Sequence, residues 1–249
     1  MIDVLLRLCV AALVIPVRGQ SSFERCLRAA RFSAGAQVIT PNSAEYDNAT
    51  VSTNLIFDYK AAAVVFLGTQ SDATAAIKCA SAHDIPVVSR SGRHSYASFG
   101  SGGRDGALVL DTTFFKSVEY DPKTGYATVG FGNRLGDLAL ALNQFGRGTP
   151  HGTCALVGIG GHSTCGGFGM WSRQYGIVVD QVVSYQVVLA DGRIVTASRA
   201  KNADLFWVRG FSFVSRTSID VNHRPFVVPR HRLGQFYRRQ SKRILSHRL

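Results

Sequence analysis

Between Gly146 and Gly169 the chain is dense in glycine and nearly free of charge, which restricts what can surround it. Glycine is a poor interior residue for a helix or strand, but it lets backbone approach another group closely. The stretch therefore suits backbone lying against a flat or phosphorylated ligand better than it suits a core element. It also contains His151-x-x-Cys154 and His162-x-x-Cys165, two His and two Cys at spacings compatible with tetrahedral zinc. The apolar setting within a large domain opposes that reading, because structural zinc sites usually sit in short polar modules.

The flanking sequence supplies such a domain. Residues 61–90 read as an apolar strand, an N-cap at Asp72, a helix with Ala73, Ala76, Ile77 and Ala80 on one face, and a strand after Pro86, together a βαβ unit. Strand-like runs follow at 106–113, 117–121 and 126–131, then an amphipathic helix carrying Leu135, Leu138, Ala139 and Leu142. Residues 179–197 predict a β-hairpin turning at Asp191-Gly192, and 202–207 a short helix. The implied fold class is α+β, and no internal repeat or Gly/Ser linker marks a second domain.

The N-terminus places an apolar run, about Leu8 to Ile15, behind Arg7, with Val17 and Gly19 spaced for cleavage before Gln20. Residues 1–19 read as a secretory signal peptide, since the run falls well short of the roughly 20 residues that span a bilayer. The sequon Asn48-Ala49-Thr50 agrees as a glycan site on a surface loop. An oxidising compartment favours a disulfide, and Cys26 with Cys79 is the better pair, both lying in helix-like stretches outside the glycine-rich region. The net charge of +12 is lopsided: residues 208–249 hold ten Lys/Arg against Asp220, or +9, leaving +3 for residues 1–207. The body is not especially basic, so nucleic acid is disfavoured as a partner.

Two further segments bear on ligand binding. SRSGRHSYASFGSGG (89–103) follows a strand, and its free N–H groups and hydroxyls suit a pyrophosphate nest, with His94 either a nucleophile or a plain loop residue. Gly130-Phe131-Gly132-Asn133-Arg134-Leu135-Gly136 imitates a dinucleotide fingerprint. Its spacing is one residue too long and no acid ends a strand about 20 positions later, so a strand-to-helix turn is expected.

RSGRHSYASFG (90–100), HGTCALVGIGGH (151–162), GGFGMWSRQYG (166–176) and NADLFW (202–207), in this order, resemble the berberine-bridge-enzyme-like and oligosaccharide-oxidase group of FAD-linked oxidases, within the vanillyl-alcohol-oxidase flavoprotein fold. The resemblance covers roughly residues 23–207. It implies an FAD-binding domain over 20–207, of the type in which two small sheets are surrounded by helices. It also implies covalent FAD, bonded from His94 to the flavin 8α-methyl carbon and from Cys154 to C6. An imidazole and a thiolate are suitable nucleophiles for these carbons. Arg90, Ser91, Gly92, Arg93, Ser95, Tyr96 and Gly100 of the first motif would contact the cofactor. Gly158, Gly160, Gly161, His162, Gly166, Gly167 and Gly169 would do so from the second region. The implied reaction takes a hydride from a C–OH or C–H substrate, an oligosaccharide or secondary metabolite, with O2 as acceptor, in a secreted monomer.

Two departures stand out. The family usually has two glycines before the histidine, whereas Gly92 is followed here by Arg93, which is strained if that position needs positive φ. Family members also continue through a substrate domain and a returning flavin-binding segment that supply the tyrosine and carboxylate acting on the substrate hydroxyl. Here residues 208–249 are basic and without periodicity, and no fold is assigned to them. They are read as the product of truncation, frameshift or intron read-through. The alternatives are a naturally shortened member with a functional basic tail, and a non-catalytic truncated protein whose basic tail binds anionic partners.

Overall fold

The computed structural model describes residues 18–208 and 213–221. The chain forms, in order, α1 (Arg18–Ala29), β1 (Gln37–Ile39), α2 (Tyr46–Thr50), β2 (Ala63–Phe66), α3 (Gln70–Ala82), β3 (Val87–Arg90) and β4 (Leu108–Asp111). There follow β5 (Val118–Asp121), β6 (Tyr126–Gly130), α4 (Leu135–Asn143), α5 (Ile159–Thr164), α6 (Ser172–Tyr175), β7 (Val182–Val188), β8 (Ile194–Ser198), α7 (Ala203–Val208) and β9 (Phe213–Asp220). The first sheet has strand order β1-β2-β4-β3, with β2, β4 and β3 mutually parallel and β1 antiparallel at the edge. The second is antiparallel throughout, in the order β5-β6-β9-β7-β8. This is the expected α+β arrangement of two sheets with helices around them.

Alternation along the strands decides where each sheet is covered. On β2, Ala63 and Val65 face α1 and α3, meeting Phe23, Leu27, Ala73, Ala76 and Ala80, while Val64 packs with Val109 and Ala49 on the opposite side. In the second sheet Ala127 and Val129 of β6 pack with Leu135, Leu138 and Leu142 of α4, Tyr185 of β7 and Ile159 of α5. The Gly130–Gly136 stretch is the expected strand-to-helix turn, joining β6 to α4.

Several details differ from the sequence reading. Asp72 sits in the first turn of α3, with Thr69 as N-cap; its carboxylate accepts from the N–H groups of Thr69 and Gly68 and from the N–H and hydroxyl of Ser33. Burial alone would raise this carboxyl, but those donors hold it below the usual range. Asn48 is exposed, yet it lies on α2 rather than on a loop, and Thr50 of the sequon is buried, donating to the Tyr46 carbonyl at 2.9 Å. Strand β9 falls inside the segment for which no fold is expected. It is the central strand of the second sheet, with Ile219 and Val221 fully buried, so that sheet runs past Trp207. The expected signal peptide lies almost wholly outside the described residues, as does most of the basic tail.

Cys26 and Cys79 form the expected disulfide, tying α1 to α3 across 53 residues of sequence. Closing a loop of that length restricts the unfolded chain by about 2–4 kcal/mol. Replacing both cysteines by serine should lower the unfolding free energy by that amount in urea titrations; a midpoint unchanged from wild type would show that the bond adds nothing.

Candidate cofactor cavity

The connection from β3 to the parallel strand β4, residues 91–107, leaves the carboxyl end of β3, where α/β sheets commonly bind ligands. It meets the glycine-rich stretch backbone to backbone. A Cβ on Gly92 would lie 2.2 Å from the Gly158 nitrogen, and one on Gly158 would lie 2.2 Å from the Gly92 nitrogen and from Ser91 Oγ. Only glycine permits this contact. Ser91 Oγ donates to the Phe131 carbonyl at 2.6 Å and accepts from Gly160 N–H at 3.3 Å, joining the loop to the end of β6 and to α5. Arg134 completes the joint, its Nη1 donating to the carbonyls of Gly92 at 3.1 Å and Leu156 at 2.5 Å.

A cavity of about 580 Å³ opens along this seam, within the range of small-molecule sites. Residues 90–95 and Gly100 line it from one side; Gly158, Gly160, Gly161, His162 and Gly167 line it from the other. A Cβ on Gly161 would meet nothing within 4 Å, so its backbone faces open space. Tyr96 is largely exposed, and Gly166 and Gly169 are not among the lining residues. The two motifs thus converge, but several glycines serve the packing of chain on chain: a Cβ on Gly169 would lie 1.8 Å from the His151 carbonyl oxygen.

The two free cysteines stand differently to the cavity. Cys154 is half-buried on the loop whose later residues Val157 and Gly158 line the cavity, without lining it itself. Cys165, exposed at the end of α5, does line it. Among the described residues no three His, Cys, Asp or Glu side chains group together as metal ligands. Of the four residues weighed for zinc, His162 has its Nε2 taken up by the Gly152 N–H at 2.9 Å.

At the inner wall, Arg90 is 1% exposed, and its Nε donates to Asp111 at 2.7 Å. Among the described residues its two terminal nitrogens have no hydrogen-bond partner. Burial pulls its pKa down to about 10, Asp111 opposing and Arg93 adding to the effect, so it remains a cation at neutral pH. Arg93 shares the same carboxylate at 3.3 Å and is indeed held at φ +60°, the left-handed region that costs a non-glycine residue about 1–2 kcal/mol. Both guanidinium groups lie over the Phe66 ring, at 6.0 and 5.6 Å. Asp111, Arg134 and Phe66 are site residues that the sequence reading missed. Asp111 was hidden at the end of an apolar strand and Arg134 inside a false fingerprint.

A cavity of this size, with an open glycine backbone and a buried guanidinium short of acceptors, fits a flat group carrying phosphates. The comparisons agree. Residues 61–198 match the family described as FAD binding domain. The chain is 43% identical over 190 residues to the carbohydrate oxidase of Microdochium nivale, covering 76% of this chain and 38% of that protein. It is 41% identical over 199 residues to the xylooligosaccharide oxidase of Thermothelomyces thermophilus, covering 80% and 39%. Among solved structures it is similar to Physcomitrella patens BBE-like 1, at TM-score 0.76 and 36% identity over 80% of this chain and 44% of that one. The Acremonium strictum glucooligosaccharide oxidase, whose structure concerns its 6-S-cysteinyl, 8α-N1-histidyl FAD, gives TM-score 0.75 and 35% identity over 80% and 42%. The chain spans about two fifths of the length of these relatives.

Substituting Arg134 by Met strands the Gly92 and Leu156 carbonyls, which should cost about 1–3 kcal/mol in chemical denaturation; no loss would show that the staple is dispensable. Burial, with nearby His151 second, pushes the His162 imidazole down to about 4, so the folded state holds it neutral. The unfolded imidazole titrates near ~6.5, so its stabilising effect is complete above that pH and is lost progressively as pH falls towards 4. His162→Gln should flatten this acid-side loss in urea midpoints taken between pH 7.5 and 4.5. An unaltered slope would assign the loss elsewhere.

Proposed function

Because the chain belongs to the FAD-binding-domain family, we propose that it is the cofactor-holding part of a secreted FAD-linked oxidase acting on carbohydrates or related alcohols. The observation that carries this reading is the convergence of His94 and the loop bearing Cys154 on one cavity beside the Arg90 cation. His94 lines the cavity and is the attachment point for one covalent bond. Cys154, three residues before the cavity-lining Val157, is the attachment point for the other. FAD, when bound, supplies hydride acceptance from a substrate carbon and electron transfer to O2.

The chain's own residues bind and orient. Arg90 with Arg93 would present positive charge to the phosphates and the backbone around Gly161 would lie against them, while Ser91 with Arg134 holds the two loops in register. Phe66 lies under both guanidinium groups, and the surplus charge that Arg93 brings to the Arg90–Asp111 pair attracts an anion. None of the described residues is assigned as the base that takes the substrate proton. Residues 1–19 act as the secretion signal and Asn48 carries a glycan, in keeping with the disulfide; the working unit is a monomer.

Acid precipitation tests the cofactor reading. The purified chain should give a yellow pellet, His94→Ala and Cys154→Ala should each keep flavin in the pellet through the remaining bond, and the double variant should release it to the supernatant. Cys165→Ala should behave as wild type. A colourless wild-type pellet contradicts covalent attachment, and retention in the double variant moves the bond to another side chain such as Cys165.

A further inference from the structure

Two guanidinium groups share one carboxylate at the inner wall of the cavity. Asp111, fully buried, accepts from Arg90 at 2.7 Å and from Arg93 at 3.3 Å, which leaves one surplus positive charge. The terminal nitrogens of Arg90 are buried without acceptors among the described residues. Buried donors of this kind cost stability, and a guanidinium that shares its carboxylate keeps an uncompensated positive field at the cavity wall, which an anion with several oxygens would meet. Arg93 is fixed in place: its Nη1 donates to the Asn48 carbonyl at 3.3 Å, its own carbonyl accepts from the Thr53 hydroxyl, and its guanidinium covers Phe66. Its backbone meanwhile holds φ +60°, where glycine is at ease and arginine is not. A strained cation pinned on three sides beside an unsatisfied one is a costly arrangement for packing alone.

We propose that Arg93 determines the affinity of this cavity for a diphosphate: by drawing on Asp111 it keeps Arg90 under-neutralised, and the surplus charge of the pair is met by the ligand's diphosphate oxygens. The inference rests on the FAD reading above for its natural ligand. Its mechanism concerns charge alone, however, and is testable without flavin.

The test uses the full chain carrying His94→Ala and Cys154→Ala, dialysed free of flavin, titrated calorimetrically with ADP and with adenosine. Arg93→Gly in that background suits the backbone conformation, and a thermal melt verifies that it folds. It should bind ADP at least about fivefold more weakly, with a shallower dependence on salt, while adenosine binding stays unchanged. Arg93→Lys, which keeps the charge, should retain ADP binding within about twofold of the parent. ADP affinity in Arg93→Gly equal to or tighter than the parent's overturns the proposal, as does a parent that binds ADP no better than adenosine. A wild-type chain without flavin but with the ADP difference sinks the oxidase reading and leaves this one standing; flavin present without the difference does the reverse.

Discussion

The contact between Gly92 and Gly158 is the joint on which the site depends. With no Cβ on either residue, two loops from different sheets lie backbone on backbone, a separation that any other residue would widen. One loop leaves β3 of the parallel sheet; the other enters α5, whose Ile159 is buried in the core of the antiparallel sheet. The cavity is what remains open along that seam, and its walls inherit the rigidity of both cores. Ser91 and Arg134 bridge the same joint, so a polar network repeats what the glycine contact begins.

Electrostatics then gives the seam its chemical character. Arg90 is carried inward by the last residue of β3 and meets Asp111, its register partner on β4. A buried ion pair is weak evidence for stability, because desolvation offsets most of the attraction. Here the pair is unbalanced by Arg93, and the buried guanidinium keeps donors to spare. That imbalance makes little sense as scaffolding. It is understandable as preparation for an anion, and the family to which the chain belongs supplies one in FAD.

Much of the fold was legible because local signals agreed with tertiary packing. The β2–α3–β3 unit, the β7–β8 hairpin and α4 follow from apolar periodicity, and the Cys26–Cys79 bond from the helices that bear it. Strand β9 was not, since its alternation is embedded in basic sequence and its place between β6 and β7 is decided by non-local pairing. Helix α5 was hidden by Gly160 and Gly161, poor helix formers that the buried Ile159 and the seam hold in place. Both motifs are visible in the sequence and line one cavity in the structure, but the roles of their glycines are not separable in sequence. Gly92 and Gly158 face each other, while Gly161 faces the cavity. Asp111 and Arg134 carry no motif of their own and become site residues only when strands and loops are paired in space.

The most direct measurement is the intact mass of the purified chain under denaturing conditions, followed by peptide mapping. A cofactor held from both loops predicts the polypeptide mass increased by one FAD, with the His94 and Cys154 peptides recovered joined through the flavin. The mass of the bare polypeptide, or a flavin attached to neither peptide, would contradict the account.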